Sequence, residues 1–415
     1  MADCNELADY EWLTGIEAAT LADELTAQTE PLHTAIGRLR EELSPSRTHL
    51  LVELVELRQR AAEKFIDAPR MFFSRAALEQ ASDQWVAAYK AERLAKTAPG
   101  GGPVADLCCG IGGDLLALAR LFSSVVGVDQ HPVATHLAAA NVRAVLKCEQ
   151  AAAVSLHTAA AEDLSLHGIA AWHVDPDRRP GAGSRTTSPD WSSPSRATIE
   201  RLLAVAPNAA VKLAPGAEVP PEWIECCELE WISRDRQCRQ LVAWHGTLAA
   251  KAGRRCATIL AGGKSHTVDR EQAPRSIVGA PNRPVTVVDR VDRFMFDVDP
   301  AVLAARLTGA LAAEYGLTAL SYGPTYLTGS TAIIDPALAC FEVQETFPLQ
   351  VRKLGRHLRD RGIGQVEIKK RGIELDPARV RGELKLRGDR AATLLLTQVA
   401  GRRTAILAQR ISRDP

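Results

Sequence analysis

Nine residues, Asp106-Leu-Cys-Cys-Gly-Ile-Gly-Gly-Asp114, follow an apolar run and open a helical one. Nineteen residues past Gly110 stands Asp129, at the end of Val-Val-Gly-Val-Asp. A strand, a glycine-rich turn, a helix and a second strand tipped with an acid make an adenosine-binding half-site: glycines let the backbone approach the ligand, and the acid accepts from ribose hydroxyls. The spacing is G-x-G-G rather than G-x-G-x-x-G, which favours S-adenosylmethionine over a dinucleotide. A bare strand-to-helix turn is the other reading of the glycines, and Asp129 in register weakens it.

A second group is Asp175-Pro176-Asp177-Arg178-Arg179, at the end of an expected fourth strand. In open α/β sheets ligands sit beyond the carboxyl ends of the strands, so Asp175 should face what Gly110 and Asp129 hold. A carboxylate followed by proline offers two acceptors, suited to an exocyclic NH2 held for attack on a methyl sulfonium. An Asp-Pro turn is the plainer alternative. Arg178 and Arg179 either clamp phosphates or pair with nearby acids. Glu162 or Asp163 could accept from an adenine amino group. Trp191, in a Gly/Ser/Pro-rich loop over 180–195, either stacks on a base or anchors the loop. His173 is either a general base or, more in keeping with its position, a packed histidine.

The elements that must position these residues alternate. Strands are expected at 103–108, 124–128, 153–158, 170–174 and 208–213, with helices at 113–121, 132–146 and 196–206 among them. This is βαβ periodicity and a parallel sheet. Two apolar runs at 228–233 and 239–244 lack a helix between them and should pair as an antiparallel hairpin. Residues 1–98 read as helical, with Ser74 as an N-cap before Arg75-Ala-Ala-Leu. Pro99-Gly-Gly-Gly-Pro103 marks a boundary, giving a sheet domain over 99–249. Residues 250–340 read as a connector with one strand-like run from Cys256 and an amphipathic helix over 300–315. Residues 341–415 read as a small α+β module: strand 341–347, helix 350–361, strand 364–369, helix 376–384, strands 391–398 and 403–409.

Bulk properties bound the answer. A chain of 415 residues with 46% hydrophobic content holds a real core in about two or three domains. No apolar run is long enough to span a membrane, and the acidic N-terminus is unlike a signal peptide. Nine cysteines without a Cys-x-x-Cys argue against a disulfide framework or metal site and for the cytoplasm. Cys108 and Cys109 read as small buried residues. The net charge of zero hides an asymmetry: residues 351–415 hold 17 Lys/Arg against 7 Asp/Glu, the rest 33 against 43. A basic tail on an acidic body suggests a polyanion such as RNA, met by Arg178, Arg179, Lys369, Lys370, Arg371, Lys385, Arg387 and Arg390; a solvated surface is the alternative.

Together these motifs resemble the class I S-adenosylmethionine methyltransferases related to trimethylguanosine synthase, whose bacterial members carry a C-terminal THUMP-like domain. The likeness rests on the Asp106–Asp114 stretch, Gly-Val-Asp129, Asp-Pro-x-Arg-Arg, Phe72-Phe-Ser-Arg-Ala-Ala-Leu, Tyr326-Leu-Thr-Gly and Val366-Glu-Ile-Lys-Lys-Arg, and covers most of 65–415. It implies a Rossmann-like sheet, S-adenosylmethionine contacts at Asp106, Gly110, Gly112 and Asp129, an adenine contact at Asp163, and Phe73 and Ser74 near the cofactor. It implies methyl transfer to RNA, with Asp175 and Pro176 at the acceptor. Amino-methylating relatives carry an aromatic residue after Asp/Asn-Pro-Pro; here Asp177 and Arg178 follow Pro176. Methylation of a small molecule or protein, or RNA binding without catalysis, are the alternatives.

Overall fold

A computed structural model describes residues 2–27, 32–178, 187–261, 273–323 and 325–411. The chain forms two compact units, Met1–Leu229 with Gln240–Gly253, and Glu230–Arg239 with Arg254–Gly262 and Gln272–Pro415.

The first unit begins with helices α1 (Ala2–Leu13), α2 (Ile16–Ala27), α3 (Leu32–Glu42), α4 (Pro45–Ala61), α5 (Arg75–Gln80) and α6 (Gln84–Thr97). Ser74 caps α5 by accepting from the Ala77 N–H at 3.3 Å. Then come β1 (Val104–Leu107), α7 (Gly113–Ala119), β2 (Val125–Asp129), α8 (Pro132–Val145), α9 (Cys148–Ala152), β3 (Val154–Thr158), β4 (Ala171–Val174), α10 (Arg196–Val205), β5 (Ala209–Leu213) and α11 (Pro221–Cys226). β1 to β5 pair in parallel, in the order β3-β2-β1-β4-β5. β1, β4 and β5 are buried along their whole length, which is why they read as unbroken apolar runs. The sequence then gives β6 (Glu228–Arg234) and β7 (Gln237–Trp244). β7 runs antiparallel beside β5, from Ala210 against Trp244 to Leu213 against Leu241. The hairpin turn is only Asp235-Arg236, both at positive φ (51° and 58°), shorter than the gap between the two apolar runs suggested. Left-handed φ at both central residues matches the right-handed twist of the flanking strands.

One histidine of this unit titrates against folding. His245 follows β7, is 5% exposed and packs edge-on to Trp223 at 5.0 Å. Burial lowers its pKa from 6.5 to about 4. The unfolded chain therefore binds the extra proton first. Stability is full above pH 6.5 and is lost as pH falls toward 4, by up to about 3 kcal/mol. His245→Phe should flatten the fall in Tm between pH 7 and 4.5; an unchanged slope would place the acid sensitivity elsewhere.

The second unit holds β8 (Arg255–Ile259), β9 (Arg275–Gly279), β10 (Phe294–Val298), α12 (Pro300–Ala304), α13 (Thr308–Tyr315), β11 (Thr318–Ala319), β12 (Leu327–Gly329), β13 (Leu338–Pro348), α14 (Val351–Asp360), β14 (Ile363–Lys370), α15 (Pro377–Leu384), β15 (Arg390–Val399) and β16 (Arg402–Arg410). The stretch 250–340, expected as a connector, thus carries strands β8 to β12 and two helices. The single helix expected over 300–315 is broken at Arg306, whose φ is 58°. The chain passes close beside the break: Asn282 N–H donates to the Arg306 carbonyl at 2.9 Å, and a Cβ on Gly309 would lie 1.9 Å from the Arg283 carbonyl oxygen. A seven-stranded sheet runs β11-β12-β10-β13-β16-β15-β14, with only β14 and β15 parallel among its pairs. One face packs Leu394, Leu396 and Leu407 under α14 and α15. The other packs Leu395 and Ile406 with Met295, Tyr326 and Phe341.

Candidate functional site

The turn after β1 alternates in hand. Cys108, Gly110 and Gly112 have φ of 60°, 55° and 88°. Gly112 caps α7 in the left-handed region, which only glycine adopts without strain. Among the described residues nothing lies within 4 Å of where a Cβ on Gly110 would stand, so the turn presents bare backbone there. Asp129 holds this shape from the tip of β2. One carboxylate oxygen accepts from the Gly110 N–H and the other from the His131 N–H, each at 2.9 Å. Each oxygen keeps a further lone pair for a ligand hydroxyl. The turn is clamped from a third side by Asn141 of α8, fully buried. Its amide accepts from Phe72 N–H at 2.7 Å and donates to the carbonyls of Phe72 and Ile111 at 3.1 and 3.0 Å.

Asp175 stands just beyond β4. Its N–H donates to the Leu107 carbonyl at 3.2 Å, placing it one strand from the glycine turn. Its carboxylate is ion-paired with Lys212 of β5, at 2.5 Å. Lys212 is 8% exposed and also reaches the Gln80 carbonyl at 3.4 Å. Pro176 is buried. Asp177 exchanges backbone hydrogen bonds with Ser193 and accepts from Gln80 Nε2 at 3.2 Å. The crevice is strongly acidic. Burial first, then Asp129, Asp175, Asp106 and Glu162, push the Cys108 thiol well above its usual range. Cys109 is raised likewise by burial, so neither thiol supplies a nucleophile.

Beneath the turn lies a charged network. Asp106 of β1 is 1% exposed and bonds His173 Nδ1 at 2.7 Å. His173 Nε2 meets Lys90 Nζ at 3.0 Å, and Lys90 pairs with Asp114 at 2.7 Å. Burial raises the Asp106 carboxyl. Burial also acts to raise Asp114, but Lys90, His173 and Lys212 hold it well below the usual range. His173 is therefore the packed histidine, not a surface base.

The remaining candidates scatter. Phe73 is 2% exposed and packs against Phe65 at 6.0 Å, inside the helical region. Ser74 is engaged as the α5 cap. Asp163 and Glu162 are both exposed on the turn after β3, and Glu162 is among the acids that raise the Cys108 thiol. Trp191 is 72% exposed, so it does not anchor its loop. Arg178 is half-buried, and Arg179 lies outside the described residues. In the second unit Lys369 and Arg371 pair with Asp297 at 3.3 and 3.0 Å, and Lys370 Nζ reaches the Leu375 carbonyl at 2.5 Å. Lys385, Arg387 and Arg390 are exposed. Three residues escaped the reading of motifs: Lys90, Asn141 and Lys212. Each is a polar side chain set in an otherwise apolar helix face or strand, and that misplacement is the signal to look for.

A parallel sheet closed by a reversed strand, with a glycine turn after β1 and an acid at the tip of β2, defines the class I methyltransferase fold. A crystal structure from Porphyromonas gingivalis W83, provisionally described as a methyltransferase, shares the fold at TM-score 0.73 and 20% identity over 98% of each chain. Two Mycobacterium tuberculosis proteins, from strains CDC 1551 and H37Rv, are described as uncharacterised S-adenosylmethionine-dependent methyltransferases. Both are 30% identical to this chain over 359 residues, 84% of it and 92% of theirs. The chain belongs to the S-adenosylmethionine-dependent methyltransferases: it is an enzyme, and S-adenosylmethionine is its cofactor. Residues 338–410, from β13 to β16, match the THUMP domain-like family. The open backbone at Gly110 and the buried acid at Asp129 fit the adenosine end of that cofactor. Among the described residues no helix is long and apolar enough to cross a membrane.

Proposed function

We propose that the enzyme methylates RNA, at an exocyclic amine of a base, and that it is related to trimethylguanosine synthase. The observation that carries the RNA reading is the THUMP-like module over 338–410, which holds 16 Lys/Arg against 8 Asp/Glu. In this reading Gly110, Gly112, Asp129 and an acid after β3 hold the adenosine, and Asp106 and Asp114 fix the turn from below. Phe73 and Ser74 act by fixing the segment that Asn141 ties to Ile111. Bound S-adenosylmethionine supplies a methyl group on a sulfonium that leaves as a neutral thioether. Little acid or base power is then required of the protein, and positioning dominates. The Asp175 oxygen that Lys212 does not hold accepts from the amine N–H and aims its lone pair. Lys212 pairs with that carboxylate and fixes it. Arg178 and Arg179 meet the acceptor's phosphates.

One observation favours another acceptor. No aromatic residue follows Pro176, and Asp177 in its place is tied to Ser193 and Gln80. Tritiated-methyl transfer into fractionated cellular RNA, protein and small molecules decides between them. Label recovered as a base-N-methylated nucleoside supports the proposal; label confined to protein or small molecules overturns it.

The cofactor half of the reading has its own test. Asp129→Ala removes the ribose acceptor and frees the Gly110 and His131 N–H groups. Cofactor affinity should fall about ten- to a hundredfold by calorimetry. Equal affinity in the variant would remove Asp129 from the cofactor site.

A further inference from the structure

We infer that the second unit carries a phosphate-binding site centred on Asp297, and that its ligand is a phosphate group of the RNA; the choice of RNA rests on the function proposed above. Asp297, at the end of β10, is 2% exposed. Three cations converge on its carboxylate: Arg236 at 3.2 Å, Lys369 at 3.3 Å and Arg371 at 3.0 Å. β10 and β14 stand four places apart in the sheet, about 19 Å at ordinary strand spacing. The sheet must therefore curl for Lys369 and Arg371 to reach Asp297, which makes this face concave.

Charge and hydrogen bonding both leave a surplus. Glu367 takes part of Lys369, at 3.7 Å, and pairs with Arg410 at 3.0 Å. Four cations then face these two carboxylates and the buried Asp299, whose carboxyl burial raises and Arg236 partly offsets. The cations stay reachable: the side chains of Arg236, Lys369 and Arg371 are 30%, 25% and 28% exposed. Beneath them three buried donors have no hydrogen-bond partner among the described residues: the Arg236 Nη1, the Tyr326 hydroxyl and the Thr397 hydroxyl. Tyr326 and Thr397 are both 0% exposed. Tyr326 lies within electrostatic reach of Asp297 and Arg371. Lys369 registers with Leu395, so Lys369, Arg371, Leu395 and Thr397 share the face turned away from α14 and α15. Arg236 itself is held in the left-handed region, with its guanidinium also donating to the Asp297 and Val298 carbonyls at 2.9 and 3.2 Å. Buried donors without partners are rare and mark an absent water, ion or ligand. Surplus positive charge and hydroxyl donors together select a tetrahedral oxyanion, because phosphate offers acceptors only and binds both Arg and Lys tightly.

The test titrates inorganic phosphate into the full chain, followed by phosphorus NMR, for wild type, Tyr326→Phe and Arg371→Lys. Both substitutions keep the charge and bulk of the site, so folding is preserved. Wild type should bind saturably, and each variant about three- to tenfold more weakly. A single-stranded RNA, measured at several salt concentrations, forms the second arm. Each variant should bind it more weakly, and Arg371→Gln should lower the log–log salt slope by about 0.7. Absence of saturable phosphate binding, or equal binding by all three proteins, overturns the site. Weaker phosphate binding with unchanged RNA affinity and slope overturns RNA as the source and leaves free phosphate. Loss of methyl transfer to RNA with both binding arms intact would sink only the proposed reaction.

Discussion

Asp175→Ala is expected to lower the methyl-transfer rate about a hundredfold or more, while affinity for S-adenosylmethionine changes little. The carboxylate lies at the end of β4, beside the glycine turn but not within its hydrogen bonds. In the proposed reading its loss removes the aim of the acceptor rather than the hold on the donor, and misplacement by about 1 Å costs about a hundredfold. The change also strands Lys212, which is 8% exposed and would lose its partner at 2.5 Å. Stability should fall too, and two controls separate the effects. Asp175→Asn keeps an amide oxygen and should retain part of the rate. Asp175→Asn with Lys212→Met removes both charges and should restore stability without restoring the rate. A full rate in Asp175→Ala, by single-turnover kinetics, would reduce the residue to a structural turn.

Lys90→Met is expected to destabilise the first unit by about 3–5 kcal/mol, because it leaves Asp114 as a buried carboxylate without its cation. By calorimetry the transition of that unit should fall by roughly 6–20 °C. The sign with pH follows from Asp114, which Lys90 and its neighbours hold below 3.8. A depressed carboxyl contributes stability that is present above its unfolded pKa and is lost as pH falls through the folded one. The gap between wild type and variant should thus be widest near neutral pH and close in strong acid. Lys90→Met with Asp114→Asn should recover part of the loss. An unchanged Tm would show that the network is indifferent to its own charge.

Elements with one dominant period were legible. β1, β2 and β4 are buried runs bounded by turn residues, and the alternation of β14, β15 and β16 with two short helices marked the C-terminal module almost residue by residue. The breaks were not. Asp235 tolerates positive φ, but Arg236 in place of the usual glycine hides the two-residue turn. The kink at Arg306 sits where the distant backbone at Asn282 donates to its carbonyl, a contact no local pattern carries. At the site, glycines and terminal acids are visible because their spacing is local. Lys212 and Asn141 matter because of partners 37 and 69 residues away, and such pairings exist only once the sheet is built.

With the glycine turn holding the cofactor as proposed, Asn141 gives the helical N-terminal region a stake in ligand binding. One amide joins the Phe72 backbone to the Ile111 carbonyl, so the segment before α5 and the glycine turn cannot loosen independently. Whatever steadies the turn must steady that segment, and by thermodynamic reciprocity the converse holds equally. Hydrogen exchange around Phe72 then becomes a remote gauge of occupancy in the crevice. Substitutions among the first helices, far from any reacting atom, acquire a route to alter cofactor affinity without touching it.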